Sequence, residues 1–165
     1  MAQPKTIRPR NWLYELLIIL EIILIVGIWR IFSGSWKHAF LFGGLTYLIL
    51  AWTLRLILQR HHRKGIQFLQ RKEYKQAAEA FQNSHDFFAA YPWIDQCRFI
   101  TMFSSSAIAY RQMALNNLGL CYLYMGEPAA ALDAFKKLAE LNSDYPSIDK
   151  IIGEIQSHID DTARR

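Results

Sequence analysis

Two long apolar runs occupy most of the first sixty residues and restrict the folds that this chain can adopt. They cover residues 12–32 and 39–58, and each is about as long as the helix of ~20 residues that crosses ~30 Å of hydrocarbon. Only six residues, 33–38, separate them, which leaves room for little more than a tight turn. The first domain, residues 1–60, is therefore predicted to be a short N-terminal tail and a transmembrane helical hairpin, with spans of about 12–32 and 39–59.

The distribution of charge predicts the orientation of this hairpin. The net charge is +5, and most of it comes from residues 1–59, which contain 6 basic and 2 acidic residues. Basic residues flank the outer ends of the two runs and are scarce at 33–38, so the positive-inside rule places both termini in the cytoplasm. We expect an integral protein of a plasma or inner membrane, and not a nucleic-acid-binding protein. The first run lacks a small-x-small cleavage site, so a removed signal peptide is not expected.

Charged residues inside the apolar runs are candidates for contacts within the membrane. In an antiparallel hairpin Glu15 lies at the depth of Arg55, so the two either form a salt bridge or both extend to water at the cytoplasmic interface. Glu21 lies near the bilayer midplane, where a lone carboxylate is costly. It is expected either to share a hydrogen bond with Thr46 or Tyr47, which lie at a similar depth, or to contact another membrane subunit.

A second part of the sequence, residues 115–141, carries small and large residues at a spacing typical of two packed helices. The pattern consists of Leu118, Gly119, Tyr122, Gly126, Ala131 and Phe135. It resembles the tetratricopeptide repeat, in which small residues let two antiparallel helices approach and large residues fill the space between them. The resemblance implies a repeat of about 112–145 that binds other proteins and is not catalytic.

A weaker copy of this pattern lies upstream, at about 61–84, although His61 stands where the family has a large residue. Ala77 and Ala131 are matching positions 54 residues apart, whereas tandem repeats are offset by about 34. An insertion rich in aromatic residues, 85–110, therefore separates the copies, and it either fills the core or forms a groove for a peptide. The residues that mark the weaker copy are Gly65, Tyr74, Ala77 and Phe81.

The remaining segments complete one cytoplasmic helical domain, predicted to cover residues 61–165. Isoleucines at helical spacing predict a helix of about 146–160 that caps the last repeat. No proline lies between residues 39 and 71, so the second span is expected to continue out of the membrane as one helix. The predicted fold class is all-α, with a two-helix transmembrane hairpin followed by a small α-solenoid that resembles tetratricopeptide repeats.

Two groups of residues are candidates for contacts with partners. The basic run after the second span is expected to be a solvated flank that also meets anionic lipid head groups, and it consists of Arg60, His61, His62, Arg63 and Lys64. The candidates for a protein-binding surface come from the insertion and from the first helix of the stronger repeat, and they are Trp93, Asn116, Leu120, Leu123 and Tyr124.

The sequence contains no motif of a known catalytic or cofactor site: no phosphate-binding glycine loop, zinc-ligand spacing or nucleophile elbow. We therefore expect no enzymatic activity, cofactor, metal or small-molecule substrate. The expected function is that of a membrane-anchored adaptor, which binds a membrane-associated protein at the cytoplasmic face. The alternative is an integral subunit or assembly factor of a larger membrane complex, which docks through the hairpin.

Overall fold

The chain folds into helices joined by short connections. The computed structural model describes residues 10–145 and 147–163, and within these ranges the regular structure is helical apart from one isolated bridge between Arg10 and Ser106. The all-α fold class predicted from the sequence is confirmed. The helices are α1 (Trp12–Ser33), α2 (Trp36–Leu58), α3 (Arg60–Gln70), α4 (Tyr74–Ala90), α5 (Pro92–Gln96), α6 (Arg98–Thr101), α7 (Tyr110–Tyr124), α8 (Pro128–Leu141) and α9 (Ile148–Ala163).

These helices form two compact units, and neither is continuous in sequence. The hairpin unit contains the described residues up to Gln59 together with Trp93–Ala109. The repeat unit contains Arg60–Pro92 and the described residues from Tyr110 onward. The whole insertion was predicted to belong to the repeat domain. This is wrong for Trp93–Ala109, because side-chain contacts described below hold that segment to the hairpin.

The two helices of the hairpin pack closely because small residues lie between them. A Cβ atom added to Gly43 would lie 2.9 Å from Cγ2 of Val26, so a larger residue does not fit there. Ala39 of α2 is also fully buried. Trp29 of α1 donates a hydrogen bond from Nε1 to Oγ1 of Thr46 at 3.0 Å. Small residues and hydrogen bonds between helices are the means by which helices associate in membranes.

The turn of the hairpin is shorter than the sequence predicted. The N–H of Gly34 bonds to the carbonyl of Arg30, and Gly34 ends α1 in the left-handed conformation, with φ of 65°. Ser35 is extended, and α2 begins at Trp36 instead of at residue 39. Glycine adopts a positive φ without steric strain, so Gly34 reverses the chain within two residues.

The predicted continuous helix from residue 39 to residue 71 is wrong, because α2 ends at Leu58 and α3 begins at Arg60. Gln59 between them leaves the helical conformation, with φ of −96° and ψ of 10°, although its N–H still bonds to the carbonyl of Arg55. Neither glycine nor proline marks this point. The break coincides with the boundary between the two compact units, since Gln59 ends the first part of the hairpin unit and α3 packs on α4 of the repeat unit.

The segment Trp93–Ala109, which we call the docked segment, contacts both helices of the hairpin. Arg55 of α2 donates hydrogen bonds to the carbonyls of Met102, at 2.8 Å, and Phe103. The ring of Phe103 packs edge-on against Tyr47, with centroids 5.0 Å apart. The start of α1 is joined to the segment as well, since the N–H of Asn11 bonds to the carbonyl of Ser105 at 2.8 Å.

Arg98 organises the docked segment from within. Its side chain is buried, and its guanidinium lies 5.0 Å from the ring centroid of Tyr14, on α1. One of its nitrogens lies 4.0 Å from the carboxylate of Asp95, which is also buried. A buried charge requires such partners to offset the loss of its hydration. Its remaining hydrogen bonds go to the backbone carbonyls of Asp95, Ser106 and Ala107.

The repeat unit contains two helix pairs, α3 with α4 and α7 with α8, that share one internal geometry. In the first pair, a Cβ atom added to Gly65 would lie 2.7 Å from the ring of Phe81. In the second pair, a Cβ atom added to Gly119 would lie 2.7 Å from the ring of Phe135. Each glycine therefore lets a phenylalanine ring pack directly on the helix backbone, as the two-repeat pattern requires.

The core of the repeat unit is continuous from the first helix pair to α9. Ala77, Ala131 and Leu118 are buried within it, and Ile148 and Ile155 of α9 join it. The predicted capping helix is thus present, at Ile148–Ala163, and it packs on α8. It covers apolar surface that the last helix pair would otherwise expose, which repeat arrays need for solubility.

Candidate interaction sites

The repeat unit has an open groove along the exposed side of α4. Its volume is about 510 Å³, and its exposed rim includes the charged residues Lys75, Glu79 and Glu127. Its floor includes Ala78, Tyr122 and Met125, which are buried or half-buried. This groove was not among the features predicted from the sequence. The sequence feature that corresponds to the groove is a series of polar residues on α4 that alternates with buried alanines. Gln82 and Asn83 belong to this series and also line the groove.

Only some of the candidate protein-binding residues lie together. Leu123 and Tyr124, at the end of α7, expose 38% and 58% of their surface, and Tyr124 stacks on Tyr74 with centroids 4.9 Å apart. Leu120 is half-buried against the core and Asn116 is half-buried. Trp93 exposes 59% of its surface but belongs to the hairpin unit. The candidates therefore do not form one surface within one unit.

In the basic run at the start of α3, the arginine and lysine side chains are exposed to solvent, whereas the histidines are not. Arg60, Arg63 and Lys64 are exposed. His61 is half-buried and accepts a hydrogen bond from Arg60, with Nε to Nε2 at 3.1 Å. Burial, together with the positive charges of Arg60 and Lys64, lowers the pKa of His61 below its usual value. The exposed basic side chains of this run are thus those of Arg60, Arg63 and Lys64.

His62 is not available to lipid head groups, contrary to the sequence-based prediction. It is buried, with its ring edge-on to Phe81 and Tyr110 at centroid distances of 5.5 and 5.4 Å. Its Nδ1 lies 3.5 Å from the hydroxyl oxygen of Ser84, on α4. The prediction failed because α3 packs one face against α4, and His62 lies on that face three residues before Gly65.

Glu15 and Arg55 do not pair with each other, and Arg55 is exposed to solvent while it is hydrogen-bonded to backbone carbonyls. Glu15 lies 3.5 Å from Arg10, the residue just before the helix cap. Arg55 instead binds the carbonyls of Met102 and Phe103, as described above. The predicted salt bridge is therefore absent, because the hydrogen-bond partners of Arg55 come from a segment 47 and 48 residues further along the chain. The predicted alternative, in which Arg55 extends to water, agrees with its exposure.

Glu21 has a buried carboxylate whose oxygens have no hydrogen-bond partner among the residues that the structure describes. The predicted bond to Thr46 is not present, and the Thr46 hydroxyl instead accepts a hydrogen bond from Trp29. Tyr47 packs its ring on Phe103. A carboxyl group without partners in an apolar setting carries a free-energy penalty. Among the described residues, Glu21 therefore lacks the internal hydrogen bond that the sequence predicted as one of two alternatives.

The aromatic residues of the insertion are divided between the two units. In the repeat unit Phe88 is fully buried and stacks on Tyr110 at a centroid distance of 5.5 Å. In the hairpin unit Phe103 is buried and Phe99 lies 5.3 Å from the ring of Tyr14. Most of the insertion thus serves core packing, in two separate cores. Tyr91 and Trp93 are the exceptions, since both are exposed.

These arrangements define a small helical-repeat protein with surfaces suited to binding. Residues 113–145 match the family model of the tetratricopeptide repeat, so the resemblance is confirmed for the second helix pair. This repeat is typical of scaffolds for protein–protein interaction. No curated protein and no solved structure matches the chain.

Proposed function

We propose that this protein is a membrane-anchored adaptor whose repeat unit binds a membrane-associated protein at the cytoplasmic face. The observation that carries the proposal is the presence, in one chain, of a repeat typical of protein-binding scaffolds and a helical hairpin with an apolar exterior. The hairpin supplies location, and the repeat unit supplies recognition.

The surface of the hairpin supports anchoring. Both α1 and α2 are long and apolar enough to cross a membrane, and little of either is buried within the protein. Large side chains such as Leu20, Ile31 and Phe32 expose 65%, 82% and 82% of their surface. A core helix of a soluble protein would bury these side chains, whereas a bilayer accommodates them. The positive-inside rule then favours cytoplasmic termini.

The groove on α4 is the surface best suited to the protein partner. Its rim carries both signs of charge, which favours a polar peptide or helix over a small apolar ligand. Tyr124 and Leu123 add exposed apolar area on α7 of the same unit. The exposed charges of Arg60, Arg63 and Lys64 would attract anionic head groups, at about 1 kcal/mol for each charge near the surface.

The alternative function, an integral subunit or assembly factor that docks through its hairpin, is favoured by Glu21. A hydroxyl or basic group from a neighbouring subunit would relieve the penalty of its unpartnered carboxylate. In that case the main interface lies within the membrane, and the groove on α4 is secondary.

Two matched variants distinguish these functions in the full-length protein, purified from its native membranes in mild detergent. Glu79→Lys changes the rim of the groove at an exposed position, and Glu21→Gln removes the carboxylate at nearly constant size. An adaptor loses its stoichiometric partner with Glu79→Lys and keeps it with Glu21→Gln, whereas a subunit behaves in the opposite way. Release of the protein from membranes by alkaline carbonate would contradict both functions.

A further inference from the structure

We infer that the docked segment, Trp93–Ala109, is embedded in the membrane interface, so that the protein contacts lipid through a third element besides its two spans. The inference rests on the proposed function in one respect, namely that the hairpin crosses the bilayer. It goes further in assigning a lipid-contacting surface to a part of the chain that is neither long nor apolar enough to span.

The depth of the segment follows from its contacts with α2. Tyr47 is the central residue of α2 (Trp36–Leu58), and at 1.5 Å per residue it lies ~12 Å further into the bilayer than Arg55. Phe103 of the docked segment lies between these two levels, because Arg55 binds its carbonyl and its ring lies 5.0 Å from that of Tyr47. If α2 spans the membrane, the Phe103 side chain lies in the hydrocarbon region.

The outer surface of the segment is that of an interfacial element. Trp93, Gln96 and Ile100 follow one another at intervals of three and four residues, and all three are exposed. Trp93 and Ile100 expose 59% and 52% of their surface. Asp95 and Arg98, the charged residues of the segment, are both buried. The segment thus presents a tryptophan, an isoleucine and an amide without an exposed charge, which suits the boundary of head groups and acyl chains.

Several backbone carbonyls of the docked segment have hydrogen-bond partners within the protein, as a water-poor environment requires. Non-helical backbone at membrane depth is stable only where its polar groups have partners within the protein. In the irregular stretch after α6, two arginines supply partners for four carbonyls, since Arg55 donates to the first two and Arg98 to two later ones. The four carbonyls are those of Met102, Phe103, Ser106 and Ala107.

Quenching of tryptophan fluorescence by brominated lipid tests the inference on the full-length chain. A variant that retains only Trp93, with phenylalanine at the other tryptophans (12, 29, 36 and 52), is reconstituted in phosphatidylcholine vesicles. The acyl chains are either unmodified or brominated close to the head group. A matched variant retains only Trp52, which lies on α2 and exposes 67% of its surface. A third variant has no natural tryptophan and carries Ile100→Trp.

The expected result is that brominated lipid reduces the emission of Trp93 and of the tryptophan at position 100 to an extent similar to that of Trp52. Loss of emission for Trp52 but for neither position of the segment overturns the inference and leaves the anchored hairpin intact. Undiminished emission for Trp52 as well contradicts the membrane-crossing hairpin, and with it the proposed function.

Discussion

Lys72 occupies in the first helix pair the same left-handed backbone position that Gly126 occupies in the second. Their φ angles are 62° and 74°. The next residue closes each turn with an equivalent hydrogen bond, from the N–H of Glu73 to the carbonyl of Phe68 at 3.0 Å and from the N–H of Glu127 to the carbonyl of Tyr122 at 2.9 Å. The two turns thus have one geometry, but only the second has the residue that adopts it without strain.

We therefore expect Lys72→Gly to stabilise the protein by about 1 kcal/mol, because it removes a side chain from a strained backbone conformation. Thermal unfolding of the purified full-length chain measures the effect. The matched control is Lys136→Gly, at an exposed position in the interior of α8, which is expected to destabilise by about 1 kcal/mol. A lower melting temperature for Lys72→Gly would show that the lysine side chain contributes more than its strained backbone costs.

The contact between Gly119 and the Phe135 ring predicts that even one methyl group destabilises the second helix pair. In Gly119→Ala the new Cβ would lie 2.7 Å from the ring, and relief of this overlap requires a shift that costs about 1–3 kcal/mol. Gly153→Ala, on α9, is the control, because no atom lies within 4 Å of its added Cβ. The control is expected to stabilise by about 0.5–1 kcal/mol. Equal effects of the two substitutions would contradict the close contact.

The role of Arg98 predicts that Arg98→Lys loosens the docked segment although it preserves the charge. An ammonium group cannot reproduce the planar fork with which Arg98 reaches the carbonyls of Ser106 and Ala107. We expect faster chymotrypsin cleavage after Phe103 in detergent, with an unchanged rate for Arg63→Lys at an exposed position of α3. Protection of Phe103 equal to that of the unmodified chain would argue against this role.

The proposed topology predicts opposite accessibility for the hairpin turn and the repeat unit. Ser35→Cys and Ser143→Cys are made separately in a chain whose two natural cysteines are replaced by alanine. A membrane-impermeant maleimide is expected to label the cysteine at position 35 in sealed cells, and the cysteine at position 143 only after permeabilisation. Labelling of position 143 from outside would reverse the orientation.

The thiol of Cys121 is expected to resist alkylation in the folded protein. Cys121 is fully buried, and burial raises its pKa to about 11. At pH 8 only about one thiol in a thousand is then ionised, and the thiolate is the reactive form. Mass spectrometry of iodoacetamide-treated protein should show Cys121 modified only on unfolding, whereas the half-buried Cys97 serves as the internal comparison. Rapid modification of Cys121 under native conditions would mean that α7 opens readily.

Local patterns in the sequence were sufficient to predict the helix pairs. The spacing of Gly119, Ala131 and Phe135 predicts the second pair, and the same spacing 54 residues upstream predicts the first. These contacts join residues that are close in sequence, so a periodic pattern contains most of the information. The regular spacing of isoleucines predicts α9 for the same reason.

The contacts that were not predicted join distant parts of the chain. No local pattern indicates that Arg55 binds the carbonyls of Met102 and Phe103. Every residue has a backbone carbonyl, so the residue types do not identify which carbonyl accepts the bond. Likewise, RHHRK reads as one charged run, and only the packing of α3 on α4 separates the buried His62 from its exposed neighbours. The groove on α4 also depends on both helix pairs being in place.

The hairpin unit cannot be completed until the docked segment has been synthesised, because that segment follows α1 and α2 in the chain. Arg55 emerges from the ribosome 47 residues before the first carbonyl that it binds, which at 5–20 residues per second corresponds to roughly 2–9 s. In the proposed membrane-anchored protein, α2 would carry during this interval a cation without its final partners near one membrane surface, where water can solvate it. Synthesis of the two-helix hairpin and completion of the hairpin unit are therefore separate events in the biogenesis of this protein.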